Sequence, residues 1–103
     1  MSSPASRQRQ RHRRRARERL WSVQKELAER QVDLVSYVRV LADMERRYQE
    51  PAPLVSMQAL AIVAVCRNQI RNDCERLLKA VEDQKQRVED LEPKQEPTQE
   101  TQA

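Results

Sequence analysis

The sequence contains no glycine and no phenylalanine, and it holds only one tryptophan, two tyrosines, one histidine and two cysteines. Each shortage closes off a kind of protein. Without glycine, tight hairpin turns and β-bulges lose the residue that takes positive φ at no steric cost, so a sheet fold is disfavoured. The same lack excludes the glycine-rich loops that cradle phosphates in nucleotide-binding enzymes. With few aromatics and 38% hydrophobic residues in 103, a lone chain has little apolar surface to bury. Self-association is the natural remedy.

Cys66 and Cys74 are too few for a disulfide scaffold and have no CxxC spacing, which fits a reducing compartment. No apolar run approaches the roughly 20 residues of a membrane span, and no secretory leader is expected ahead of the basic block. The lone His12 and two cysteines offer no metal-ligand set. No Ser/His/Asp set or paired-carboxylate cleft can be assembled. No enzyme activity, cofactor, metal or small-molecule substrate is expected.

What remains is charge and helix-forming residues. Charged residues make up 35% of the chain, and the net charge of +4 hides an asymmetry. Residues 1–19 carry eight arginines and Glu18, so +7; the rest carries twelve basic and fifteen acidic residues, so −3. The chain is a basic arm on a mildly acidic body. It divides into an arginine-rich arm (1–19), a helical oligomerisation segment (20–92) and an acidic tail (93–103) rich in Pro, Glu, Gln and Thr, expected to be disordered.

From Leu20 the pattern becomes periodic. Leu20, Leu27, Leu34, Leu41 and Tyr48 recur every seven residues, with Val23, Tyr37 and Met44 three places after members of that series. Arg30 interrupts the second row, while Val32, Val35 and Val38 widen the apolar face. "EPAP" at 50–53 ends this helix, because two prolines remove backbone donors and push their predecessors out of the α region. A second helix is predicted from about Leu54. Its seam reads Leu60, Val63, Arg67, Ile70, Cys74, Leu77, Val81, Gln84, Val88, Leu91, in alternating steps of three and four. Arg30, Arg67 and Gln84 either fix register or oligomeric state or turn outward.

The expected fold is all-α: an antiparallel hairpin of two long helices joined by a proline turn. Two hairpins pair into a homodimeric four-helix bundle through Leu27, Leu34, Leu41, Leu60, Val63, Ile70, Leu77, Val81 and Val88. A disordered basic arm leads it. A single long helix in an extended coiled coil is the alternative, at the cost of two prolines inside a helix.

The arm "RQRQRHRRRARER" (7–19) uses arginine and no lysine. A guanidinium forks to two phosphate oxygens and stacks on bases, whereas lysine is a point charge. Arg7, Arg9, Arg11, Arg13, Arg14, Arg15, Arg17 and Arg19 are therefore the candidate nucleic-acid contacts. Basic residues ahead of a leucine heptad resemble a basic leucine zipper. That family places an Asn and small residues before the first zipper leucine to read base edges. Counting back from Leu27, those places hold Arg9, His12 and Arg13, and only Ala16-Arg17 fits.

In composition the arm is similar to the arginine-rich motifs of RNA-binding regulators of the lentiviral Rev type. In those, one Arg-dense helix enters a widened RNA groove. That likeness implies RNA as the partner and an arm that turns helical on binding.

"CRNQIRNDCER" (66–76) places Arg67 and Arg71, with Asn68, Asn72, Arg76 and Lys79, on neighbouring helical rows. A helix pair so lined can lie along duplex RNA, and the architecture is similar to viral silencing suppressors built from helical hairpin dimers. The plainer reading is a solvated face neutralised by Asp73 and Glu75. Trp21, at the joint of arm and helix, stacks on a base or packs against a partner hairpin; His12 stacks on a base or is simply exposed.

The expectation is a homodimeric regulatory protein, viral in character, that binds structured or double-stranded RNA in the nucleus with shuttling to the cytoplasm. The competing expectation is a coiled-coil adaptor subunit whose arginine block is only a nuclear import signal or docks an acidic partner.

Overall fold

The computed structural model describes residues 3–92 and contains two helices, α1 (Pro4–Tyr48) and α2 (Met57–Leu91), with no strand among the described residues. The expected acidic tail, 93–103, lies outside the described residues. Both helices begin on a serine. The Ser6 amide donates to Ser3 Oγ at 3.1 Å, and the Ala59 amide to Ser56 Oγ at 3.1 Å. Each cap satisfies one of the amides that a helix start leaves unpaired. Pro4 occupies the first turn of α1, where a missing N–H costs nothing.

α1 ends at the capping residue Gln49, and Arg46 and Arg47 in its last turn complement the helix dipole. Both reach Asp43. The connection then passes Pro51, Ala52 and Pro53. Ala52 has φ of 52°, in the left-handed region that a glycine would normally fill. In a chain without glycine an alanine takes the position, at a cost of about 1–2 kcal/mol.

α2 starts three residues later than Leu54, because Ser56 is the better cap, and Leu54 is left wholly exposed on the connection. The helix ends where Glu92 turns extended (ψ 143°), as a residue before proline prefers, and Pro93 follows.

The two helices pack antiparallel. Leu27 of α1 meets Leu77 and Val81 of α2, and Leu20, Val23 and Cys74 close around them. Leu41 and Leu60 are buried nearer the connection, so the core is a single narrow seam. All nine residues expected at an oligomer seam lie within one hairpin. Leu27, Leu41, Leu60, Leu77 and Val81 are buried, and Leu34, Val63, Ile70 and Val88 are half-buried. The period-seven reading thus located the face along which α1 meets α2. Arg30 is exposed and pairs with Asp33 at 3.2 Å, whereas Arg67 and Gln84 stay half-buried on the seam.

The arm differs from expectation. Expected as a disordered lead, residues 4–19 belong to α1, which runs through position 20 without a break. The reasons are local. No proline or glycine occurs between residues 5 and 50, Ser3 caps the start, and Ala16 is 1% exposed. α1 has 45 residues and α2 has 35. At about 1.5 Å per residue they are roughly 68 and 52 Å long, so the start of α1 projects past the end of α2. The molecule measures 76 × 35 × 14 Å.

Candidate nucleic-acid interface

The arginine block divides by helical spacing into three rows about α1. Arg7, Arg11 and Arg14 form one row, ending on Glu18, whose carboxylate pairs with Arg14 at 3.5 Å. Gln10, Arg13 and Arg17 form the second, closed by Glu92 of α2, which accepts from Arg17 Nε at 3.0 Å. His12, Arg15 and Arg19 form the third. They line a hollow with Ala16 at its base and Arg87 and Leu91 of α2 on its far wall. Arg9 is exposed ahead of α2's end.

Seven of the eight arginines are exposed and Arg13 is half-buried. Two carboxylates, Glu18 and Glu92, answer eight guanidiniums by direct ion pairs among the described residues. Forked donors therefore face outward around most of the helix, spaced at about 1.5 Å of rise per residue on one continuous element. A phosphodiester backbone following the helix could meet several at once. Trp21 is exposed beside this region, with Lys25 Nζ 5.3 Å from its ring centroid. One ring face is thus partly engaged by a cation.

The second candidate surface is less coherent. Arg71 is exposed, but Arg67 is half-buried and its guanidinium binds Asn68 Oδ1 at 3.0 Å. Arg76 pairs with Asp73 at 3.0 Å, as the plainer reading of that face had it. Arg67 precedes Arg87 by 20 positions on α2, about 30 Å along the axis. The structure does not join this surface to the arm.

Sequence reasoning missed Arg87 and Glu92. The signal was present in Ala16, the one apolar residue of the block. An isolated alanine among arginines marks where a second helix approaches closely, and only the end of α2 is available to do so.

No helix among the described residues is long and apolar enough to cross a membrane. No protein family, curated protein or solved structure matches the chain.

Proposed function

We propose that the protein is a homodimeric RNA-binding regulator whose arginine-rich first third of α1 grips the phosphate backbone of structured or double-stranded RNA. The observation that carries this reading is the outward display of guanidiniums on a helix continuous with the hairpin, with two carboxylates paired to eight cations among the described residues. Arginine without lysine favours forked phosphate contacts and stacking, and a base-tolerant helix suits RNA better than sequence reading in DNA.

Self-association is supported by what one hairpin leaves in water. Trp21, Val32, Val35, Val38, Val40, Ile62, Val65 and Leu78 are all exposed. A second copy covering such surface also presents a second arm, which multiplies affinity without new kinds of contact. The same arginine run is a nuclear import signal, compatible with RNA binding at another time.

Titration of the full chain against duplex RNA, hairpin RNA and duplex DNA at ~50 and ~200 mM salt tests the reading. If six arginines meet phosphates on a duplex, the slope of log K against log salt is about −5. Preference for RNA with that slope supports the proposal. Weak binding to all three, unchanged when all eight arginines become glutamine, supports the adaptor reading instead.

A further inference from the structure

Resting on the RNA-binding reading above, we infer that His12, Arg15 and Arg19 of α1 and Arg87 of α2 form a composite seat for one backbone phosphate. The main anchoring contact is then a folded two-helix site and not the free arm.

Of the three hollows lined by arginines of the basic block, this one is the most enclosed, and both helices supply cations to it. Its floor is the buried Ala16 and one wall is Leu91, so a phosphate there sits against apolar surface, where charge-assisted hydrogen bonds are strengthened. The other two rows each carry a carboxylate, Glu18 or Glu92. Arg15, Arg19 and Arg87 make no ion pair among the described residues. Three guanidiniums that line one hollow from two helices, without an ion pair among the described residues, repel one another. That repulsion is relieved by a ligand with at least two anionic or strongly accepting oxygens. The non-bridging oxygens of a phosphodiester fit the fork geometry.

Arg87 is the discriminating residue, because it lies outside the basic block and makes no ion pair among the described residues. The test uses the full chain with a 20-base-pair duplex RNA, followed by fluorescence anisotropy across a salt series. Arg87→Gln is compared with Arg39→Gln, an equal charge change on exposed α1 surface 20 positions past Arg19. The expected result is roughly tenfold weaker binding for Arg87→Gln and a salt slope smaller by about one phosphate, with Arg39→Gln close to the parent. Arg87→Lys, which keeps the charge and loses the fork, should recover part of the loss. Circular dichroism should read the same helix content in all three variants, since Arg87 and Arg39 are exposed. If Arg87→Gln binds like Arg39→Gln, the seat is overturned and the RNA-binding reading stands. If the parent shows no salt-dependent binding to the duplex, both fall.

Discussion

Arg17 and Glu92 meet across the open end of the hairpin although 75 positions separate them in sequence; Arg17 Nε donates to Glu92 Oε1 at 3.0 Å, and its Nη2 reaches the same oxygen. This contact ties the arginine block to the last residue of the hairpin. On the proposed RNA-binding reading, it also occupies a guanidinium that could otherwise meet a phosphate.

Replacing Glu92 by glutamine separates those two effects. The side chains are partly exposed, so the pair is worth within about 1 kcal/mol of stability. Thermal unfolding of Glu92→Gln should therefore shift only slightly downward. Binding to duplex RNA should tighten, and the salt slope should steepen by up to about 0.9, because Arg17 is released to meet a phosphate. Unchanged affinity with a lowered melting temperature would mean that Arg17 serves the hairpin alone.

The arm's helix is held against its own charge. Arg7 and Arg11, Arg9 and Arg13, Arg11 and Arg15, Arg13 and Arg17, and Arg15 and Arg19 are like-charged neighbours four apart, each costing about 0.2–0.5 kcal/mol. They sit near the positive end of the helix dipole, which adds to the penalty. Raising salt from about 50 to about 500 mM screens both terms, so amide protection over residues 7–15 should increase while residues 20–48 change little. Duplex RNA should do the same at low salt. Full protection of residues 7–15 at low salt without RNA would contradict this account.

Gln84 is half-buried on the seam, and its side-chain oxygen is enclosed with no hydrogen-bond donor among the described residues. An unsatisfied buried acceptor costs about 1–3 kcal/mol. Gln84→Leu should raise the stability of the hairpin by about 1 kcal/mol, measured by urea unfolding. A loss of stability would show that Gln84 bonds across an interface, where its oxygen finds a donor from a second copy.

The seam was legible because heptad spacing reports directly on which residues share a face, and Leu27, Leu77 and Val81 met as the spacing required. The turn was legible because Pro51 and Pro53 admit few alternatives. The helical state of the arm was not. Composition weighs eight arginines as mutual repulsion, whereas Ser3, Ala16 and Glu92 act by position, and two of those three operate only once α2 lies alongside. The same dependence on tertiary contact hid Arg87, which reads in sequence as an ordinary exposed residue of a long helix.

Cys74 provides a probe of the seam at the level of Arg30 and Asp33. Burial pushes its thiol above the ordinary value of 9.0, Asp73 adds to the rise, Arg30 opposes it, and Asp33 contributes a smaller increase. A raised folded pKa means the folded state holds the proton more tightly. The corresponding stability is fully present below the unfolded pKa and is lost as pH rises through the folded one, so the hairpin should weaken above about pH 9. At lower pH the same shift leaves less thiolate to react. In a Cys66→Ser chain, iodoacetamide at pH 8 should label Cys74 more slowly in the folded protein than in urea. The alkaline loss of stability should shrink in a Cys74→Ser variant. Equal labelling rates in the two states would place Cys74 in solvent, off the seam that the heptad pattern and the packing around Leu27 assign to it.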